Sequence, residues 1–303
     1  MKFFTNDQIS EVLDIHLASQ AIRAAYLDLQ SGEAAVQPRA RIGLSEAKFS
    51  AMSAMLGNKN VAAIKMYTTL SGQFRFYIAL FSLLDGAPLA MLEGDAITGV
   101  RTAATTALAA FHLARPASRS LGLFGSGVQA RAHADALASR PGLCEIFINS
   151  RDDASAKALA HDLRRRFGLA VSVVDAEKCA SADIVVLATR SSEPLIRGGW
   201  LRPGAFVASI GATRPDQREL DDTSLLAASR IVVDWAQQTP FETGDLLLPS
   251  RELLHSRAVI DLSSVIGADE RRTHDATDIV IYKAVGIALQ DAAVAYMAYT
   301  QLS

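Results

Sequence analysis

The chain has 303 residues, half of them hydrophobic and a fifth charged, and a formal net charge of −2. That length accommodates two domains with a sizeable core, and the near-neutral balance excludes a global field that would recruit nucleic acid or an anionic membrane. The two cysteines, Cys144 and Cys179, have no metal-type spacing and read as reduced thiols of a cytoplasmic protein, and the charged start MKFFTNDQISEVL reads as neither a signal peptide nor a membrane span.

In chain order, Thr5 or Asn6 is placed to cap a helix over 7–13, and the apolar spacing of Leu17, Ile22, Ala25, Tyr26 and Leu29 predicts an amphipathic helix ended by Gly32. Pro38 disfavours helix in 36–44, so this stretch reads as a strand carrying Arg39 and Arg41 on one face; on spacing alone both are ordinary solvated charges. Residues 50–57 are small and Met-rich, and no element is assigned to them. A strand over 61–69 contains Lys65 between Ile64 and Met66, where a lysine must snorkel or face a polar cavity. A strand over 74–84, a turn at Asp85-Gly86 and a return strand over 88–92 make 36–92 a mainly antiparallel sheet. A helix over 93–114 carries Thr98, Arg101 and Thr102 in its N-terminal half and stops at Pro116; by spacing, Arg101 is also compatible with a surface ion pair.

The pattern then changes. Residues 121–124 form an apolar strand, Gly125-Ser126-Gly127 follows, and 128–137 reads as a helix with Ala130 facing the sheet. This is G-x-G-x-x-A between strand and helix: Gly125 permits the turn, Gly127 permits close approach of a pyrophosphate, and the helix N-terminus favours its charge. Further strands over 145–148, 171–174, 184–188, 205–210, 231–234, 258–261 and 279–282 alternate with helices, which predicts a doubly wound parallel sheet. A closing helix is expected over 285–299. After the second strand stand Asn149, Ser150 and Arg151, with Asp152 next. A small polar residue with an arginine suits a 2′-phosphate, so NADP(H) is favoured and NAD(H) remains possible, the competing reading being that Asp152 takes the ribose. The six histidines make no metal-type pair, His112 and His133 read as helix-face residues, and Asp221, Asp222 and Asp245 as loop or cap residues.

Several blocks together resemble the ornithine cyclodeaminase/mu-crystallin family: QPRAR at 37–41, IK at 64–65, EGDAITGVRTAATTALAA at 93–110, GSGVQA at 125–130, SIGATRPDQREL at 209–220 and YKAVGIALQD at 282–291. The resemblance implies a Rossmann domain, expected over 115–289, and a smaller α+β substrate-binding and dimerisation domain, expected over 1–114 and 290–303. It implies a homodimer and a small amino or imino acid substrate, with no nucleic-acid or membrane partner. The family's carboxylate-binding arginine falls on Arg39 or, because the local register is ambiguous, on Arg41; its active-site lysine falls on Lys65 and the arginine of the helix block on Arg101. The expected dinucleotide contacts are Thr102, Gly125, Ser126, Gly127, Val128, Gln129, Asn149, Ser150, Arg151, Ala188, Thr189 and Gly211.

Two departures from the family pattern matter. Cyclodeaminases proper carry an acid/base aspartate where this chain has Thr213, and a threonine hydroxyl is no general base at neutral pH. Many members have a serine where this chain has Ala284. The implied activity is therefore NAD(P)H-dependent reduction of a cyclic ketimine such as pyrroline-2-carboxylate, with Lys65, Arg101 and Thr213 as the catalytic set. The alternatives are ornithine cyclodeamination, an alanine-dehydrogenase-like reaction, and a mu-crystallin-like binding protein.

Overall fold

The computed structural model describes residues 1–250, Leu253, 258–268 and 277–303; His255 and His274 lie outside the described residues. The chain divides into two compact units, Met1–Thr105 with Gly286–Ser303, and Thr106–Val285, the first division falling inside helix α3 (Asp95–Leu113).

The first unit is built on one mixed sheet. Strands β2 (Ala34–Leu44), β3 (Ala47–Leu56), β4 (Val61–Leu70), β5 (Gln73–Ser82) and β6 (Pro88–Glu93) form an antiparallel run, and β1 (Lys2–Phe4) adds to β6 in parallel. β1, and β3 over most of the Met-rich stretch, are the elements the sequence reading lacked. The first has three residues, too few for a period to show, and the second mixes small residues with methionine rather than β-branched ones. The flanking helices begin and end on local chemistry. Thr5 and Gln8 form a capping box on α1 (Asn6–Val12), Asp14 caps α2 (Ile15–Ser31), and Gly32 closes α2 in the left-handed conformation. The C-terminal helix, Ala288–Leu302, packs on α2, β3 and β4, which is why its first eight residues are buried on every side. In β4 the buried positions alternate as Val61, Ala63, Lys65 and Tyr67, so Lys65 occupies a core position on the face under that helix.

The second unit is a doubly wound α/β structure. Its eight-stranded sheet is parallel throughout, in the order β13 (Val259–Asp261), β12 (Ala228–Val233), β14 (Ile279–Lys283), β11 (Phe206–Ser209), β10 (Ile184–Leu187), β7 (Ser120–Phe124), β8 (Glu145–Asn149), β9 (Ala170–Val173). The winding reverses between β7 and β10, the switch point at which such sheets take their ligands. Strands buried on both faces, such as Ile184–Leu187, give continuous apolar runs instead of alternation. Gly122 shows how tightly one flank is packed: a Cβ there would overlap the carbonyl oxygen of Cys179 on α6 (Ala176–Ala180). Gly122→Ala is therefore expected to force α6 off the strand and to cost about 3 kcal/mol, the upper end for overpacked cores, read as a lower midpoint in urea unfolding.

Candidate functional site

In the first unit the sequence brings three cations to one carboxylate. Lys65 Nζ, from the buried face of β4, donates to Asp291 Oδ1 at 2.8 Å and to Thr98 Oγ1 at 2.7 Å, and stands 4.5 Å over the Phe76 ring. Arg101, from α3, places Nε 3.3 Å from the same Asp291 oxygen and donates from Nη1 to Gln290 Oε1 at 2.8 Å. Gln290 in turn donates to the Tyr26 hydroxyl at 2.9 Å, so the arginine is oriented by a hydrogen-bonded side chain that is itself held. Arg39 donates from Nη2 to the Gly286 carbonyl at 2.7 Å. Gly286 is required twice: its φ is +78°, and any side chain there would overlap the Arg101 guanidinium.

The electrostatics follow from burial. Lys65 is 2 % exposed, and burial brings its pKa down to about 8; Asp291 works against that fall and Arg101 adds to it. Burial acts to raise the Asp291 carboxyl, but the Arg101 and Lys65 charges outweigh it and hold the group below the ordinary carboxylate range. Three cations around one carboxylate leave an excess of positive charge beside the Phe76 ring, a setting that suits a small carboxylate ligand. Arg41 is exposed on β2, whereas Arg39 is half-buried and its charge acts on Asp291. The shared face expected for the two arginines thus hides unlike surroundings, because a bulge between Gln37 and Ala40 shifts the register and β2 is exposed from Ala40 onward.

In the second unit Gly125 has φ +107°, and a Cβ on it would lie 2.7 Å from the Ala188 carbonyl oxygen. Gly127 begins α4 (Val128–Ala138) with no side-chain cap and with open space where its Cβ would be, and Val128 is 76 % exposed. The first N–H groups of α4 therefore face an uncrowded surface, an arrangement that fits a pyrophosphate. Gln129 in this first turn is half-buried. Ser126 and Ser150 share a hydroxyl hydrogen bond of 2.9 Å, Asn149 donates to the Val174 carbonyl at 2.9 Å, and Arg151 is exposed. Asp152 is engaged as the cap of α5 (Asp153–Phe167), accepting from Ser155 N at 3.0 Å. Thr189 donates to Glu219, and a Cβ on Gly211 would overlap the Thr189 carbonyl, so that glycine is required by packing. Thr213 is half-buried beyond the end of β11. Thr102, which belongs to the first unit, bonds its hydroxyl to the Thr98 carbonyl.

Some expectations need correction. Asp221 does cap α7 (Asp222–Ala227), but Asp245, in the first turn of the short α8 (Gly244–Leu247), is fully buried and pairs with Lys283 Nζ at 2.9 Å. His112 and His133 are buried rather than merely on a helix face, and His133 hydrogen-bonds Thr106 and the Gln129 carbonyl. Asp291 and Gln290 were quoted in a sequence block without a role; the signal was a Gln-Asp pair inside an otherwise apolar helix. Among the described residues no group of His, Cys, Asp or Glu is arranged to hold a metal ion, and no helix is long and apolar enough to cross a membrane.

A doubly wound parallel sheet with an open glycine loop, carried with a separate sheet unit that holds a buried cationic group, defines an α/β protein of the nucleotide-cofactor type. The sequence matches the ornithine cyclodeaminase/mu-crystallin family over residues 2–303, and the chain belongs to that family. It is 30% identical to the ketimine reductase mu-crystallin of Rattus norvegicus over 75% of this chain and 69% of that protein. It resembles the structure of a probable ornithine cyclodeaminase from Bordetella pertussis Tohama I, with 40% identity, a TM-score of 0.95, and coverage of 100% of this chain and 97% of that one. It also resembles the Thermococcus litoralis Delta(1)-pyrroline-2-carboxylate reductase solved with NADH and L-proline, with 27% identity, a TM-score of 0.93, and coverage of 99% and 97%.

The cationic group generates a prediction on stability. Asp291→Ala leaves Lys65 and Arg101 buried without their counter-charge and is expected to cost about 3–5 kcal/mol, measured by chemical denaturation. The pH dependence has a definite sign. A lysine whose folded pKa lies near 8, below its ordinary 10.5, holds its proton less tightly in the folded chain, so its contribution to stability rises with pH between those values. Removing Asp291, which raises that pKa, should move the onset of this rise below pH 8.

Proposed function

We propose that this protein is an NAD(P)H-dependent reductase of a small cyclic imino acid, of which pyrroline-2-carboxylate is the model substrate. The observation that carries the reading is the buried group of Lys65, Arg101 and Arg39 around Asp291, which retains positive charge for an α-carboxylate. In this reading Arg39 and Arg101 offer the planar forks that match a carboxylate, and Lys65 supplies a point charge. The dinucleotide supplies the hydride. Gly125, Ser126, Gly127, Val128 and Gln129 hold its pyrophosphate, with Thr102, Asn149, Ala188, Thr189 and Gly211 as further contacts. Fixing the substrate through its carboxylate orients the imine carbon, and orientation is the main requirement of the step. A protonated imine is already electrophilic, so Thr213 suffices as a hydroxyl that orients the imine nitrogen or a water.

Family relationship supports an imine reductase: the mu-crystallin relative is described as a ketimine reductase and the Thermococcus protein as a pyrroline-2-carboxylate reductase. The 40% identity to a probable ornithine cyclodeaminase favours a second reading, ornithine cyclodeamination, against which Thr213 weighs because it provides no carboxylate for acid/base work. A homodimer accords with the apolar side chains exposed on one face of the first sheet, Phe3, Phe49 and Tyr77 among them.

The test is NAD(P)H loss with pyrroline-2-carboxylate, run beside ammonia release from ornithine with NAD+. Rapid loss of absorbance without ammonia is expected; ammonia and proline from ornithine would replace the reading by the second one. Lys65→Ala and Arg101→Ala should each lower kcat/KM by about 100-fold, a loss of about 3 kcal/mol for a charge-assisted contact, with dinucleotide affinity unchanged. Because kcat/KM reports the free enzyme, it should fall above pH 8 as Lys65 loses its proton, and Lys65→Arg should remove that limb.

Cofactor choice rests on Ser150 and Arg151. Asp152 is used as a helix cap, which leaves an arginine and a serine to meet the adenosine ribose and favours NADPH. Arg151→Ala should raise the KM for NADPH by about tenfold, the worth of one charge-assisted hydrogen bond, and leave the KM for NADH unchanged. Equal effects on both cofactors would return the preference to NADH, the cofactor bound by the Thermococcus protein.

A further inference from the structure

The second unit contains a buried carboxylate whose partners come from the ends of two strands and the loops that leave them. Glu219 is fully buried. Its Oε1 accepts from Thr189 N and Thr189 Oγ1, both at 2.9 Å. Its Oε2 accepts from Gly211 N at 2.9 Å, Ala212 N at 3.2 Å and Ser209 Oγ at 2.9 Å. One side chain therefore joins the loop leaving β10 to the loop leaving β11, at the ends of adjacent strands next to the switch point.

Glu219 is itself held from behind. Asp245 Oδ1 accepts from the backbone N–H groups of Glu219, at 2.7 Å, and Leu220, at 2.9 Å. Asp245 Oδ2 pairs with Lys283, whose ammonium also donates to Ser209 Oγ at 2.9 Å. The Ser209 hydroxyl has a single proton to share between Glu219 and Asp245. Burial raises the Glu219 carboxyl above the ordinary carboxylate range; Lys283 and the Thr189 donors oppose that rise, and the neighbouring Asp245 charge adds to it. Apart from the shared Ser209 hydroxyl, the groups facing its two oxygens are the Thr189 N–H and hydroxyl and the Gly211 and Ala212 N–H groups, all donors that need an acceptor.

The chain leaving Ala212 leads directly to Thr213. Glu219 fixes the Ala212 N–H, and the Thr243 hydroxyl donates to the Ala212 carbonyl at 2.8 Å, so the peptide before Thr213 is held at both ends. The packing is equally tight, since a side chain on Gly211 would overlap the Thr189 carbonyl and crowd Glu219 Oε1.

We propose that Glu219 is a positioning residue: its carboxylate, backed by Asp245 and Lys283, fixes the Thr189 and Gly211–Thr213 loops in the conformation that receives the nicotinamide half of the dinucleotide. This rests on the reductase reading above. It does not require Glu219 to touch the cofactor, and the pyrophosphate loop at Gly125–Gly127 acts without it.

Glu219→Gln tests the clamp. The amide keeps the shape but turns an NH2 group toward N–H and O–H donors at one of the two loops, leaving them without an acceptor. Dinucleotide affinity, measured by calorimetry on the full-length protein without substrate, should fall by about tenfold, the cost of leaving one buried donor unpaired. The KM for the imine should change less than the dinucleotide affinity, because the substrate carboxylate is held in the first unit and only the Thr213 contact depends on the clamp. A merely structural role would lower the unfolding midpoint and the active fraction while leaving both affinities unchanged, and that result would overturn the proposal. If Glu219→Gln does not fold, Ser209→Ala, which removes only the shared hydroxyl, should weaken dinucleotide binding to a smaller extent, with the imine KM again changing less than that affinity; unaltered dinucleotide affinity there would overturn the clamp. Absence of dinucleotide binding by the unsubstituted protein would overturn the reductase reading and this proposal together, whereas equal affinity in protein and variant would remove the clamp alone.

Discussion

The ion pair between Lys65 and Asp291 is the interaction on which the first unit depends. A lysine at a core position of β4 is unfavourable in isolation, and an aspartate inside an apolar helix is equally so. Each is tolerated because the C-terminal helix packs on the sheet face from which Lys65 projects, and Arg101 then shares the same carboxylate. The ends of the sequence are thereby bound to its middle: residues 226 positions apart share a 2.8 Å hydrogen bond. Such a pair contributes little net stability compared with a hydrophobic replacement, because both ions lose their water. What it leaves over is a surplus of positive charge among buried groups, which accords with the carboxylate-binding role proposed above.

How much of this was legible in the sequence depended on whether the information was local. The glycine loop was readable because turn, phosphate approach and helix start fall within six consecutive residues, Gly125 to Ala130. The parallel strands were readable as apolar runs, and the Thr5 cap follows from a side chain acting on its own next turn. Lys65 announced itself by being out of place in an apolar strand. The three-residue β1 was not legible, because its stability comes from pairing with β6, a partner about ninety residues away. Asp291 and Glu219 were hidden for the same reason. The apolar helix around Asp291 marks it as out of place but not which cation it meets, and Asp245 reads as a loop or cap residue because its lysine lies 38 residues further on.

The two buried ionic groups differ in a way that matches different tasks. Around Asp291 the charges do not balance: three cations converge on one carboxylate, and Asp291 Oδ2 has no hydrogen-bond partner. Around Glu219 each oxygen of the two carboxylates is met by a donor, from backbone N–H groups, hydroxyls or the Lys283 ammonium. An unbalanced group is a poor structural element and a good binding site, since a ligand that supplies the missing charge satisfies groups the protein leaves strained. A balanced group is the reverse, rigid without a ligand and gaining nothing from one. In the proposed reading, a chain that fixes an anion and holds two loops still for a dinucleotide uses one of each kind. Exchanging their compositions would fail on both counts, because an extra cation at Glu219 would compete with the backbone N–H groups for its oxygens, and a second carboxylate beside Asp291 would cancel the attraction for substrate.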